Sequence, residues 1–316
     1  MSVTMLQGNC LDILPTLDTG SVNCCVTSPP YYGLRDYGVD GQIGLEQTPD
    51  GFVAEMVKVF REVWRVLRDD GTLWLNLGDS YQGSWGGYKQ KDRSNVKNAK
   101  AFEGKDWRPP TSNKNQSLKS KDLIGIPWRV AFALQQDGWY LRQDIIWSKP
   151  NPMPESVRDR CTKAHEYIFL MSKSPKYYYD QDSIKEPTIC DKVWKFIDSS
   201  DKQRGHSRRH AGFNGRYAEK LAVDGPPESK NKRSVWTVAT QPYSAAHFAT
   251  FPEKLIEPCI LAGCPKGGVV LDPFGGSGTV GVVATKNQRK AVLIELNPDY
   301  IEFQKQRTSN IQINMF

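Results

Sequence analysis

The chain has 316 residues, of which 39% are hydrophobic and 24% are charged, so it can bury one substantial core together with a smaller appendage. It contains no run of about 18 apolar residues and no basic segment followed by an apolar one, so we expect no membrane span, no secretion signal and a cytoplasmic location. Seven cysteines lack any Cys-x-x-Cys spacing and only four histidines are present, which argues against a zinc site, so we expect no bound metal.

Two short apolar strands are predicted near the start of the chain, at residues 3–7 and 23–27, and the second runs into Ser28-Pro29-Pro30-Tyr31. The two prolines fix the backbone and have no N–H, so the carbonyls of Ser28 and Pro29 face outward as acceptors beside the Ser28 hydroxyl and the Tyr31 ring. Such a turn can hold a planar amine and stack the base that carries it. The alternative is an ordinary proline-rich turn after a strand.

This turn resembles the catalytic motif of DNA amino-methyltransferases, whose serine form, Thr27-Ser28-Pro29-Pro30-Tyr31 here, is commonest among members that methylate cytosine N4. The resemblance implies that the target base leaves the duplex and stacks on Tyr31, while Ser28 Oγ and the Pro29 carbonyl accept hydrogen bonds from its amine. Adenine N6 stays open as the acceptor, because Ser28 can accept from either amine. The glycine-hinged segment 32–38 carries Arg35, and we interpret it as a loop that closes over DNA.

The middle of the chain alternates helices and strands in the manner of an α/β domain. We predict, in chain order, a helix at 52–67, a strand at 72–77, a helix at 126–136 and strands at 140–148 and 166–172. This alternation favours a parallel sheet covered on both faces, with an antiparallel hairpin at one edge. The proline-dense segment 148–154 must be a shaped loop, in which Lys149 either neutralises a DNA phosphate or belongs to a rigid connector.

Two polar segments carry most of the positive charge. Residues 82–121 contain ten Lys or Arg against three acids and account for the net charge of +7, either as a solvated insertion or as an arm that contacts DNA phosphates. Residues 181–243 contain a basic cluster with no acid between positions 201 and 219. We place target recognition there, and a solvated charged face is the alternative. The DNA-contact residues that we predict in this cluster are Lys202, Arg204, Arg208, Arg209 and Arg216.

A second motif follows a predicted strand, 269–271, near the end of the chain. It is a glycine-rich turn with the sequence Asp272-Pro273-Phe274-Gly275-Gly276-Ser277-Gly278-Thr279. The glycines let the backbone approach a ligand closely, and the predicted helix 279–286 offers free N–H groups at its start. Gly276, Gly278 and Gly281 also match the spacing of a dinucleotide fingerprint, and Glu295 ends the next strand, so an NAD-dependent oxidoreductase is the rival function.

Chain order separates these functions, because only 35 residues (316 minus 281) follow Gly281. A dinucleotide-binding domain in the usual order needs several more strands after that point, so the strands at 3–7 and 23–27 must complete the sheet. We therefore predict an α/β, Rossmann-like, circularly permuted and mostly parallel seven-stranded sheet, with helices on both faces and a small inserted target-recognition region. This order, catalytic turn first and glycine turn last, resembles the beta group of amino-methyltransferases.

The resemblance implies S-adenosyl-L-methionine as cofactor: the glycine turn holds its methionine end, Asp272 meets the sulfonium or the ammonium, and Glu295 takes the ribose. The segment before the cofactor strand matches the family at Thr250 and Phe251, which we expect as further contacts. The family has Gly-Asp after the first strand where this chain has Gly8-Asn9, so the contact to adenine stays open. The cofactor-binding residues that we predict are Asn9, Thr250, Phe251, Asp272, Pro273, Phe274, Gly275, Gly276, Ser277, Gly278, Thr279 and Glu295.

We expect the chain to divide into a catalytic half at 1–180 that includes the insertion 82–121, a target-recognition region at 181–245 and a cofactor half at 246–316. The expected function is a sequence-specific DNA methyltransferase that acts on double-stranded DNA. A homodimer and a cognate restriction endonuclease stay open as partners. Besides the permuted oxidoreductase, a non-catalytic nucleic-acid binder with a decayed cofactor pocket is the remaining alternative.

Overall fold

The computed structural model describes residues 2–34, 38–83, 118–188, 228–240, 251–309 and 311. The chain forms a large unit, Met1–Asp180 with Ser234–Phe316, and a small unit, Gln181–Arg233. No helix in these described ranges is both long enough and apolar enough to cross a lipid bilayer.

The elements are numbered in chain order over the described residues. The strands are β1 (Val3–Gln7), β2 (Val22–Thr27), β3 (Leu67–Leu77), β4 (Tyr140–Ser148), β5 (His165–Ser172), β6 (Glu186–Pro187), β7 (Ser229–Lys230), β8 (Val235–Thr237), β9 (Val269–Asp272) and β10 (Lys290–Glu295). The α-helices are α1 (Cys10–Ile13), α2 (Pro49–Val66), α3 (Ile126–Gln136), α4 (Glu253–Gly263), α5 (Thr279–Lys286) and α6 (Pro298–Ser309). Within the small unit, β6 and β7 pair antiparallel.

The other eight strands form one sheet in the order β1-β10-β9-β2-β3-β5-β4-β8. All neighbouring pairs are parallel except those that β5 makes with β3 and with β4. The mostly parallel sheet is confirmed, but the predicted number of seven strands is one too low. The additional strand is β8, which covers β4 so that the antiparallel β4–β5 pair is not at the edge. It is three residues long and lies in a polar segment where no apolar run indicated a strand.

The sheet is assembled from both ends of the chain. Strand β9 lies between β10 and β2, with Cys24 opposite Val270 and Cys25 opposite Leu271. Strand β1 pairs with β10 along its whole length. The N-terminal strands thus complete the sheet that the C-terminal strands begin, as chain order predicted. Because β2 and β9 are parallel neighbours, their carboxyl ends meet at one edge of the sheet.

Helix α2 forms much of the core and begins where the local sequence provides a cap. Thr48 Oγ1 accepts from the Gly51 N–H at 3.1 Å, and Pro49 takes the first helical position, where its missing N–H costs nothing. The core side chains that the helix buries completely are Phe52, Met56, Val59, Phe60, Val63 and Val66. Strand β3 follows at once, five residues (72 minus 67) before its predicted start, because Leu67 already pairs with Val22.

Candidate active site

Two turns begin side by side at the carboxyl edge of the sheet. The proline turn, residues 28–31, follows β2, and the glycine turn, residues 272–279, follows β9. The residue just before the proline turn contacts the first residue of the glycine turn. Thr27 Oγ1 donates to Asp272 Oδ1 at 2.6 Å, and both residues are buried. These partners are 245 positions apart in the sequence. The two motifs that the sequence singled out therefore lie next to each other at one edge of the sheet.

The proline turn packs against the loop that precedes α2. The Gly33 N–H donates to the Gly44 carbonyl at 2.8 Å. Gly44 has a φ of +110°, and a side chain there would lie 3.3 Å from Pro30 Cβ, so this position favours glycine on both counts. Within the turn, Pro29 is buried, whereas the partly exposed residues are Ser28, Pro30 and Tyr31. Ser28 and Tyr31, whose side chains are expected to meet the amine and its base, are thus partly accessible.

The Tyr31 hydroxyl is bound by groups at the ends of neighbouring strands. Tyr31 Oη donates to Glu166 Oε2 at 2.6 Å and lies 3.2 Å from Asn76 Oδ1. The other Glu166 oxygen, Oε1, pairs with Lys149 Nζ, which also lies 4.3 Å from the centre of the Trp147 ring. Three strands, β3, β4 and β5, therefore contribute to one polar network around a predicted catalytic side chain.

Sequence reasoning missed Glu166 and Asn76, and for Lys149 it offered either a contact with DNA phosphate or a place in a rigid connector. The signal that could have found the first two is their placement: Asn76 is near the carboxyl end of β3, and Glu166 is near the amino end of the antiparallel β5, so both lie at the same edge as the proline turn. The Lys149 side chain is only 18% exposed and is paired with Glu166. It lies within the site, and its contact with phosphate stays a prediction.

The glycine turn is held by two side chains of helix α6 that sequence reasoning missed. Gln304 Nε2 donates to the Gly276 carbonyl at 2.9 Å, and Arg307 Nη1 donates to Ser277 Oγ at 2.7 Å. Gly276 and Gly278 have φ values of +48° and +80°, which are conformations that favour glycine. The turn is therefore fixed by its own backbone and by two side chains from a neighbouring helix.

Two of the other predicted cofactor residues, Glu295 and Asn9, lie against this turn and just after β1, respectively. Glu295 Oε2 accepts from the Gly276 N–H at 2.7 Å. Asn9 follows β1, where its Oδ1 caps helix α1 by accepting from the Leu11 N–H at 2.9 Å. Phe251 is partly exposed and comes just before α4. The structure therefore gives Asn9 a capping bond, and its contact with the cofactor stays a prediction.

Two carboxylates at this edge are poorly hydrated. Burial raises the pKa of Asp272 to about 7, although hydrogen bonds from Thr27 and from the Phe274 N–H oppose the shift. Burial also raises the pKa of Glu295, against hydrogen bonds from the backbone. A cation bound beside Asp272 would favour its ionised form.

We expect the raised pKa of Asp272 to make the cofactor-free protein less stable as the pH rises. Below about pH 4 the residue is protonated in both the folded and the unfolded state. Above that, the unfolded chain loses this proton while the folded protein keeps it up to about pH 7, so the folded state loses relative stability over this window. Asp272→Asn removes the effect. The free energy of unfolding in urea should fall less from about pH 5 to about pH 8 in this variant than in the wild type, and equal falls would contradict the shift.

Several predicted residues lie outside the described ranges. They are Arg35, Lys202, Arg204, Arg208, Arg209, Arg216 and Thr250, together with residues 84–117 of the basic insertion. Their roles stay predictions. Over the residues that are described, no group of three or more His, Cys, Asp or Glu side chains is placed to hold a metal ion.

A family model described as DNA methylase, which covers N6 and N4 enzymes, matches residues 22–306. The chain belongs to this DNA methylase family. Among similar relatives of this DNA methylase, the Type II methyltransferase M.Cfr9I of Citrobacter freundii is 48% identical over 312 residues, which cover 99% of this chain and 89% of the relative. The Type II methyltransferase M.SmaI of Serratia marcescens is 47% identical over 306 residues, which cover 97% of this chain and 90% of the relative. Assignment to the beta group stays a prediction.

Solved structures confirm the Rossmann-like fold of this DNA methylase. The cytosine-N4-specific PvuII DNA methyltransferase matches with a TM-score of 0.61 and 19% identity, covering 100% of this chain and 89% of that one. The Thermus thermophilus protein TTHA0409, complexed with S-adenosyl-L-methionine, matches with a TM-score of 0.58 and 20% identity, and the match covers 99% of this chain and 97% of that one. At these identities the likeness shows the fold alone.

This DNA methylase uses S-adenosyl-L-methionine as its cofactor. The residues of the glycine turn fit that molecule chemically. Asp272 would present a buried carboxyl group to a positive sulfonium or ammonium group, and Glu295 would present one to ribose hydroxyls; both contacts stay predictions. The backbone at Gly276 is open, because the nearest atom to an added Cβ would be the Phe274 carbonyl oxygen at 3.8 Å.

Proposed function

We propose that this DNA methylase transfers a methyl group from S-adenosyl-L-methionine to the exocyclic N4 of a cytosine that is flipped out of a specific duplex sequence. The observation that carries the proposal is the 2.6 Å bond between Thr27 and Asp272, which joins the start of the proline turn to the start of the glycine turn. An amine held by the first turn then lies beside a methyl donor held by the second. Family membership favours this function over the oxidoreductase and over the non-catalytic binder.

In this mechanism the residues of the chain position the reactants. Ser28 Oγ and the Pro29 carbonyl accept hydrogen bonds from the amine and thereby direct the nitrogen lone pair away from themselves. Pro30 fixes the backbone of the turn, and Tyr31 stacks on the base. S-adenosyl-L-methionine supplies an electrophilic methyl group on a positively charged sulfur. Positioning and electrostatic complementarity are enough for direct transfer, in which the N–C bond forms as the S–C bond breaks and the methylated amine releases one proton to solvent, so no covalent bond to the enzyme is required.

Cytosine N4 is our choice of acceptor because the proline turn begins with serine, and adenine N6 is the alternative. The test uses tritium-labelled methyl donor and genomic DNA from a methylation-deficient host, whose many sequences include the unknown target. We expect acid-stable label in the DNA and N4-methylcytosine by nucleoside mass spectrometry. Ser28→Ala should lower kcat about tenfold with unchanged cofactor affinity. N6-methyladenine would overturn the choice of cytosine, and an absence of label from the wild-type protein would overturn the proposal.

The proposal includes the setting of the reaction. Double-stranded DNA is the substrate, and the basic segments of the chain contribute phosphate contacts. The enzyme acts in the cytoplasm beside a cognate restriction endonuclease, and the designation of its relatives as Type II methyltransferases supports this partner. Homodimerisation stays a prediction of the resemblance. Single-molecule sequencing of a genome that expresses this chain would identify the recognition sequence and the modified base together.

A further inference from the structure

The ring that is expected to stack on the target base is a tyrosine, and stacking does not use its hydroxyl. The structure nevertheless binds that hydroxyl at 2.6 Å to Glu166, within the range of a hydrogen bond to a charged acceptor. Asn76 Oδ1 lies 3.2 Å from the same hydroxyl, and Asn76 Nδ2 donates to the Tyr167 carbonyl at 3.1 Å. The Asn76 amide is thus oriented by the sheet backbone with its oxygen towards Tyr31.

A buried ion pair supports this contact. The side chains of Lys149 and Glu166 are only 18% and 13% exposed, so both charges have lost most of their hydration. Pairs of this kind contribute little to stability by themselves, because desolvation offsets most of the attraction. The pair does hold the Glu166 carboxylate in one place, with one oxygen on Lys149 and the other on the Tyr31 hydroxyl. The geometry of the pair therefore orients the acceptor of the Tyr31 hydroxyl, whereas its contribution to the free energy of unfolding is small.

The carbon ring of Tyr31 is confined as well. A Cβ added at Gly78 would lie 2.5 Å from Tyr31 Cε2 and 2.9 Å from Cδ2, so the ring packs directly on the backbone at the end of β3. The ring is thus restrained at two separate places, by a hydrogen bond at its hydroxyl and by close packing along its side. Together these restraints leave it few orientations.

We infer that Glu166 is a positioning residue for Tyr31, and that Lys149 in turn positions Glu166. This inference rests on the proposed function, in which the Tyr31 ring stacks on the flipped base. The pair fixes the ring plane before DNA arrives, so the base meets a surface already in place and less ordering is required on binding. Lys149 belongs to this network through its pair with Glu166.

The experiment is a double-mutant cycle with Tyr31→Phe and Glu166→Ala, measured as kcat at saturating cofactor and DNA. Each single variant should lower kcat about tenfold, because each removes the same charge-assisted bond, and cofactor affinity should not change. When Tyr31→Phe is already present, adding Glu166→Ala should lower kcat by less than about a further twofold, because the Tyr31 hydroxyl that Glu166 binds is already absent. Glu166→Gln, which keeps an acceptor oxygen, should lie between the wild type and Glu166→Ala. Glu62→Ala, which removes the partner of Arg65 on α2, is the matched control and should keep wild-type kcat.

Losses that multiply in the double variant would overturn the inference, because they would mean that Glu166 acts on the substrate independently of Tyr31. This outcome requires an active wild-type enzyme, so it differs from failure of the proposed function, which appears as a wild-type protein that labels no DNA. A second measurement needs no turnover: flipping of the Tyr31 ring, followed by NMR, should be faster in Glu166→Ala than in the wild type. Equal flipping rates would overturn the inference whatever the activity.

Discussion

Replacement of Tyr31 by alanine is expected to lower kcat about 100-fold, because stacking of a base on an aromatic ring contributes about 1–3 kcal/mol and no other residue of the proline turn offers an aromatic ring in its place. The dissociation constant for S-adenosyl-L-methionine should stay within about twofold of the wild type, since no predicted cofactor residue lies in the proline turn and the glycine turn follows a different strand. Single-turnover methylation and equilibrium cofactor binding measure the two quantities separately.

The alanine variant also leaves Glu166 without the hydroxyl that it accepts from, while Lys149 remains its partner. The free energy of unfolding should therefore change little, because the buried pair stays intact. Tyr31→Phe is the matched control: it keeps the ring, so it should lose about tenfold where alanine loses about 100-fold. Equal losses in the two variants would mean that the hydroxyl, and not the ring, is what the reaction requires. An unchanged kcat in the alanine variant would remove Tyr31 from the site.

The two turns could be predicted from sequence because their signals are local. Consecutive prolines after an apolar strand and glycines before a helix restrict the backbone wherever they occur. The contact between Thr27 and Asp272 was not predicted, but one count indicated its setting: too few residues remain after Gly281 to build a sheet, so the N-terminal strands must complete it. The structure then places β2 beside β9, and parallel neighbours bring their carboxyl ends together.

The network around Tyr31 could not be predicted in the same way. Tyr31 and Glu166 are 135 positions apart, and they meet only because β5 runs antiparallel to β3 and brings its first residues to the edge where β2 ends. A single polar residue within an apolar strand does not reveal which edge it occupies until the strand order is known. The pairing of Lys149 with Glu166 was not predicted for the same reason, since Glu166 lies on a strand whose neighbours were not predicted.

Element boundaries were wrong where tertiary pairing decides them. The sequence Asp70-Gly71 resembles a break between a helix and a strand, but in the structure it lies inside β3. The strand extends back to Leu67 because β2 offers a partner at Val22, and the pairing shifts register between Val22 and Cys24. Asp70-Gly71 does favour a turn locally, but the pairing of β3 with β2 outweighs that preference.

Replacement of Gly278 by alanine is expected to weaken binding of S-adenosyl-L-methionine about 100-fold. Gly278 has a φ of +80°, a conformation that costs a residue with a Cβ about 1–2 kcal/mol. The added Cβ would also lie 2.9 Å from Gln304 Cγ and 3.3 Å from Gln304 Cα, so the clash involves backbone as well as side chain. Relief of the clash must move either the turn or α6, and Gln304 bonds the Gly276 carbonyl. Isothermal titration with the cofactor measures the loss.

Gly267→Ala is the matched control, because it isolates the backbone strain. Gly267 has a similar φ of +77°, but nothing lies within 4 Å of its added Cβ, and it precedes β9 at the opposite end from the glycine turn. Both variants should lose stability to urea, whereas only Gly278→Ala should lose cofactor affinity. If Gly278→Ala were destabilised as Gly267→Ala is and still bound the cofactor normally, the packing of α6 on the glycine turn would have no part in binding. If both lost affinity equally, the cause would be general destabilisation and not the shape of the turn.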